Sequence, residues 1–191
     1  MPQALDILGF SHIGFAVDSV EEFAETWGAA LGIPEWHTYE ASSSGGIQLH
    51  GADSGPVVVQ VAFARLGGTS LELIETKVGM THHKETIQRR GAGLHHVAFW
   101  VRDLTTELAK APSLGLEIVT SPSQLRPELR DRPVSAVVHD SSALGIPQYF
   151  AFLDTINGGA HFGLELLDAK FAEDYRAMNG PHPYYPGELP T

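Results

Sequence analysis

A chain of 191 residues, 43% hydrophobic and 18% charged, suits one full-sized domain or two small modules sharing a core, and is too apolar for disorder. Its formal net charge of −11 disfavours nucleic acid, whose phosphates need clustered Lys and Arg. With no cysteine, disulfides and thiolate metal sites are excluded. Residues 1–64 carry eight acids and no Lys or Arg, so an anionic substrate is expected at the second half or between the halves. No stretch reaches the roughly 18–20 apolar residues of a membrane span. Met1-Pro2-Gln3-Ala4 opens no basic or long apolar leader, so the expectation is a cytoplasmic protein.

Ile7–Val17 alternates and is rich in β-formers, which predicts a strand. Ser19-Val20-Glu21-Glu22 reads as a capping box, Phe23, Trp27, Ala30 and Leu31 follow at helical spacing, and Gly32 stops the helix. A polar loop over Ser42–Gly46 leads to a short strand near Ile47–His50. Val57–Arg65 is the strongest β run, and Gly67-Gly68 turns it into Thr69–Glu75. Thr81–Gly91 is polar, partly helical and a linker candidate. The second half repeats the order. Leu94–Val101 is a strand, Asp103 caps a helix over Leu104–Ala111, and strands follow near Leu116–Thr120, Val134–His139, Gln148–Asp154 and His161–Leu167. Ala169–Met178 looks helical, and Gly180–Thr191 is a Pro-rich tail.

The halves share two phrases. Phe10-Ser11-His12-Ile13-Gly14-Phe15-Ala16-Val17 returns as Leu94-His95-His96-Val97-Ala98-Phe99-Trp100-Val101. Ser70-Leu71-Glu72-Leu73-Ile74-Glu75 returns as Gly163-Leu164-Glu165-Leu166-Leu167-Asp168. One imidazole and one carboxylate per copy is what a metal site shared by two copies needs. Strand alternation lets only one of His95 and His96 face the interior. Glu75 and Asp168, three residues beyond each Glu, fall on the other strand face and read as strand-end surface charges.

These phrases resemble the vicinal oxygen chelate superfamily, which includes glyoxalase I, methylmalonyl-CoA epimerase, extradiol dioxygenases and the fosfomycin and bleomycin resistance proteins. The likeness covers residues 7–168, and Leu66–Ile74 and Gly91–Phe99 read most like the epimerase and glyoxalase-like members. It implies an α+β fold in which two βαβββ modules form a cupped, mostly antiparallel eight-stranded sheet around a metal. The modules would span residues 7–76 and 93–168, with a linker over 77–92 and a C-terminal helix and tail over 169–191. It selects His96 over His95 and turns both Glu side chains inward, giving His12, Glu72, His96 and Glu165 as ligands of one divalent ion. Two imidazoles and two carboxylates suit Zn, Mn, Co, Ni or Fe.

The implied activity is a metal-dependent isomerase or lyase, stabilising an enolate-like intermediate of a small carbonyl or acyl-thioester substrate. The epimerase carries a catalytic Glu on the strand that here reads Val57–Phe63, which has no carboxylate. Gln60 on that strand is a substrate-positioning candidate, and Arg126, with Arg130 and Arg132, a candidate grip for an anion. His161, four residues before Glu165, is the candidate base, with His50, His139 and Tyr149 as further candidates. Two other activities stay open. An Fe(II) extradiol-type dioxygenase would use His12, His96 and Glu165 and not need Glu72. A non-enzymatic binding protein of the resistance type would not need the quartet. The expected partner is a small-molecule substrate, with no nucleic acid and no membrane, and the family leaves room for a homodimer.

Overall fold

The computed structural model describes residues 3–43, 47–122, 150–155 and 162–169. His161, Arg126, Arg130, Arg132, His139 and Tyr149 lie outside the described residues, as do the expected strand at 134–139 and the chain beyond Ala169.

Ten strands form one sheet: β1 (Ile7–Ala16), β2 (His37–Ser43), β3 (Ile47–Leu49), β4 (Ala52–Asp53), β5 (Val57–Leu66), β6 (Thr69–Val78), β7 (Gly93–Val101), β8 (Leu116–Pro122), β9 (Phe150–Thr155) and β10 (Gly163–Asp168). Their order is β2-β5-β6-β1-β7-β10-β9-β8-β3-β4, and the sheet curls into a half-barrel. At its centre β1 and β7, the strands bearing the repeated His phrases, run antiparallel. Outside them lie β6 and β10, the strands bearing the Glu phrases, each parallel to its neighbour. The other pairings are antiparallel, so the α+β, mostly antiparallel architecture expected from the sequence is the one observed.

Among the described residues there are ten strands where eight were expected. His37–Ser43, outside the strands expected from the sequence, pairs with β5 from His37 opposite Phe63 to Ser43 opposite Val57. That occupies the outer edge of β5. The short strand at Ile47–Leu49 therefore does not join its own half. It pairs with β8, Leu49 opposite Thr120 and Ile47 opposite Pro122, and forms a hairpin with β4 at the far edge of the second half. His50, at the hairpin turn with φ +51, donates its backbone N–H to the Val119 carbonyl and places its ring between Glu85 and Glu117.

One face of the sheet is covered by helices. A helical stretch begins as α1 (Val20–Phe23), widens into a π-helical turn (Ala24–Gly28) and closes as α2 (Ala29–Leu31), ending at Gly32 with φ +69. It packs Val20 against Val17, Ala62 and Leu73. In the second half α4 (Leu104–Lys110), followed by a 3₁₀ turn (Ala111–Leu114), packs Leu104 and Leu108 against Val101, Leu153 and Leu166. The expected caps are present: Ser19 Oγ accepts from the Glu22 N–H at 3.2 Å, and Asp103 Oδ1 from the Thr106 N–H at 2.8 Å.

Glu75 and Asp168 are not surface charges. Glu75 Oε2 accepts from the Val20 N–H and Asp168 Oδ2 from the Leu104 N–H, both at 3.0 Å. Each carboxylate thus serves the first N–H of its half's helix, where orphan donors and the helix dipole favour an anion. The stretch 77–92 contains a true helix, α3 (His82–Arg90), capped by Thr81 Oγ1 on the Lys84 N–H and set against β1, β6 and β7. No helix among the described residues is long and apolar enough to cross a membrane.

Candidate metal centre

The site follows from strand register. In the parallel pair β1–β6, Gly14 lies opposite Glu72; in β7–β10, Ala98 lies opposite Glu165. Residues two apart on a strand share a face, so each Glu joins the His two positions before its cross-strand partner. The central pairing of Gly14 with His96 then brings the two half-sites together. A Cβ on Gly14 would overlap the His96 ring, which explains why this turn of the repeat has glycine where the other has Ala98. Gly14→Ala is therefore expected to displace His96, lowering metal affinity at least tenfold and stability by about 1–3 kcal/mol. Metal titration and denaturant melts read both.

Four atoms converge. His12 Nε2 lies 3.2 Å from Glu72 Oε2 and 3.0 Å from Glu165 Oε2; His96 Nε2 lies 3.1 and 3.4 Å from the same oxygens, and the two Nε2 atoms are 3.2 Å apart. Exposure is 2% for His12, 7% for Glu72, 0% for His96 and 5% for Glu165. Phe63 and Phe152 stand edge-on to His12 and His96, lining the site with apolar surface.

The donor set fits a divalent cation. Ligands held about 2.1 Å from one ion sit about 3.0–3.4 Å from one another, as these atoms do. Both Oε2 atoms are buried without a well-aligned hydrogen bond, a costly state for a carboxylate oxygen unless a cation meets it. Two carboxylates and two neutral imidazoles carry two negative charges, which a divalent ion cancels.

Without an ion, protons take that role. Burial pushes the His12 imidazole down, but the carboxylates, Glu72 foremost, outweigh it and raise its pKa to about 10. His96 is raised against burial by Glu165 and Glu72. Burial pushes Glu72 up, but His12 and then His96 outweigh it and bring it to about 2. An ion bound by these four residues would have to displace the imidazole protons.

His95 departs from the expected alternation. Gly14 pairs with His96 but Phe15 with Leu94, so His95 is an extra residue, a β-bulge. Its ring stays on the His96 side, 3% exposed, with Nδ1 3.0 Å from His96 Nδ1. It joins His82 and His83 of α3 in a buried cluster packed on Phe152. Burial first, then neighbouring imidazoles, holds all three well below the ordinary histidine pKa, so they are neutral at pH 7. His82 Nδ1 meets Thr120 Oγ1 at 2.8 Å, while both ring nitrogens of His83 have no hydrogen-bond partner among the described residues. The sequence reading missed this cluster; its one signal was the pair of His-His dipeptides.

Gln60 is not brought to the site. It lies opposite Glu75 and Glu40, on the same face as Ala62 and the α1 stretch, whereas Phe63 faces His12. His50 is engaged at the hairpin, away from the quartet.

Comparison with known proteins bears on family and fold. The family model of the Glyoxalase/Bleomycin resistance protein/Dioxygenase superfamily matches residues 11–134. The uncharacterized protein YqjC of Bacillus subtilis is 26% identical over 108 residues, 56% of this chain and 68% of that protein. Among solved structures, methylmalonyl-CoA epimerase from Mycobacterium tuberculosis superposes with a TM-score of 0.52 at 17% identity, over 88% of this chain and 92% of that one. A variant of the Streptomyces coelicolor methylmalonyl-CoA epimerase, in complex with 2-nitronate-propionyl-CoA, gives 0.51 at 20% identity, over 86% and 99%. At these identities the structural likeness bears on the fold.

Proposed function

Because the chain belongs to the glyoxalase/bleomycin resistance protein/dioxygenase superfamily, we propose that it is a divalent-metal-dependent isomerase or lyase acting on a small carbonyl or acyl-thioester substrate. The convergence of His12, Glu72, His96 and Glu165 on one point carries this reading. These four would hold the ion, which supplies Lewis-acid polarisation of a substrate oxygen and so makes the adjacent carbon a stronger acid. The two carboxylates keep the loaded site neutral, so it accepts a further developing negative charge at low cost. Phe63 and Phe152 exclude water and strengthen that interaction.

The reaction also needs a proton acceptor near the substrate carbon. His161 is assigned that role on its position four residues before Glu165. His83 is the second candidate, because it is a neutral imidazole with both nitrogens unpartnered among the described residues and its ring centroid lies 6.1 Å from that of His96. The fourth ligand, Glu72, favours this chemistry over the dioxygenase reading, which needs three ligands and open positions for O₂.

The test offers metal-loaded protein two probes in deuterium oxide, methylmalonyl-CoA and the glutathione hemithioacetal of methylglyoxal. Deuterium is expected to enter α to the carbonyl of one of them without oxygen consumption, and either His161→Ala or His83→Ala should abolish exchange while leaving the ion bound. Stoichiometric O₂ uptake with a catechol, or no exchange with either probe, would overturn the assignment.

A further inference from the structure

The residues immediately before the two ligand histidines, Ser11 and His95, are unlike in chemistry but identical in placement. In β1, Phe10 pairs with Phe99 and Ile13 with Val97, so the Ser11-His12 stretch holds one residue more than its partner. In β7 the extra residue is His95. Each half therefore bulges next to its ligand, and a bulge turns the preceding side chain onto the ligand's ring. Ser11 Oγ lies 3.1 Å from His12 Nδ1, and His95 Nδ1 lies 3.0 Å from His96 Nδ1. Ser11 is 1% exposed, so water does not compete for that contact.

Resting on the metal reading above, we propose that Ser11 and His95 are positioning residues, which hold the rings of His12 and His96 as Nδ1–H tautomers with Nε2 bare toward the metal. A ring ligating through Nε2 must keep its proton on Nδ1, and that N–H needs an acceptor. Ser11 Oγ accepts it in the first half. In the second half the acceptor is the His95 Nδ1 lone pair, which puts the His95 proton on Nε2. On its other side the His95 ring packs against those of His82 and His83 at the start of α3.

Ligand atoms of His82, His83 and His95 also lie within 4.8 Å of one another, but on this arrangement they are not a second cation site. His95 as acceptor toward His96 carries its proton on Nε2, so neither of its nitrogens is bare. The cluster moreover brings three neutral donors and no carboxylate to a helix N-terminus, where a cation is disfavoured.

The test compares zinc affinity, by competition with a chromophoric chelator, for wild type, Ser11→Ala, His95→Leu and His95→Asn, with melting of the metal-free proteins alongside. Asn is the informative variant, since its Oδ1 can stand where His95 Nδ1 stood. Ser11→Ala and His95→Leu are expected to weaken zinc binding by about 10–100-fold, and His95→Asn to recover most of that loss. In the zinc-loaded wild type, two slowly exchanging ring N–H protons should correlate with Nδ1 of His12 and His96. Ser11→Ala should lose the first and His95→Leu the second. Unchanged affinity and unchanged ring protons in either variant overturn the role of that residue alone. No zinc uptake by the wild type overturns the metal reading and this proposal with it. Equal loss in His95→Leu and His95→Asn reduces His95 to a packing role and overturns its part.

Discussion

Glu165→Ala and His96→Ala are each expected to reduce the metal content of the purified protein from about one ion per chain to below about a tenth of that. Each removes one of four converging donors and leaves the opposing groups buried without their partner. Glu72→Gln should act in the same direction, since it removes one of the two charges that balance the ion. Glu75→Gln is the control. Its carboxylate serves the Val20 N–H, and Gln keeps an acceptor for that bond, so metal content should not change. Elemental analysis decides, and unchanged content in both alanine variants would refute the ligand set. Chelation supplies a second readout. Stripping an ion present at about a thousand times its Kd costs about 4 kcal/mol, which for a chain of this size is a fall in Tm of about 10 °C. The ligand variants should start low and show no further fall with chelator.

The second large effect is expected in acid. His82, His83 and His95 are held neutral in the fold with pKa values well below 6.5, while the unfolded chain protonates them near 6.5. The unfolded state then binds more protons below that pH, so stability falls as pH drops. Three such groups give a slope of about 4 kcal/mol per pH unit once all are protonated in the unfolded chain. His12 and His96 act in the opposite sense. In the metal-free protein their raised pKa values contribute stability that is fully present below about 6.5 and is lost as pH rises, for His12 through about 10. Metal-free protein should therefore be most stable near pH 6.5 and weaken on both sides. Denaturant melts of chelated protein at half-unit steps from pH 5 to 9 test this. His83→Phe, which fills the same space without a titrating group, should reduce the acid slope by about a third. A flat profile between pH 5 and 6.5 would show that the three imidazoles are charged in the fold.

The quartet was legible in the sequence because it is written twice. His12 and His96, Glu72 and Glu165 stand in matching phrases, and two independent strands rarely repeat a buried polar group without a common use. What surrounds the quartet was not legible. Period-two reasoning sent His95 to the opposite face, and a single extra residue in β7 defeats that reasoning because it resets the alternation locally. Glu75 and Asp168 read as surface charges because nothing in a strand's own pattern reveals the helix end that packs over it. Their shared spacing, three residues beyond each ligand Glu, was the available sign. His37–Ser43 carries Glu40, Ser42 and Ser43 and lacks a β-rich pattern, so its pairing with the strongly apolar β5 is a tertiary override of propensity. Gln60 was chosen because it stands on the strand that lacks the epimerase's Glu, and strand identity alone does not say that it lies opposite Glu40 and Glu75.

The β3–β4 hairpin, encoded in the first half and seated on the second, makes one pairing of the first half depend on the second being present. β2, β5 and β6 pair only within the first half, whereas β3, already paired with β4, gains its second neighbour only when β8 is present, Ile47 opposite Pro122. Such a contact closes a long loop for only three residue pairs, so the entropy of closure is recovered late. As the chain leaves the ribosome, a four-stranded precursor of β2, β5, β6 and β1 can form with the hairpin dangling and half of the ligand set, His12 and Glu72, in place. Among the described residues, docking of the hairpin on β8 then gives the outer edge of that strand a partner over Thr120–Pro122.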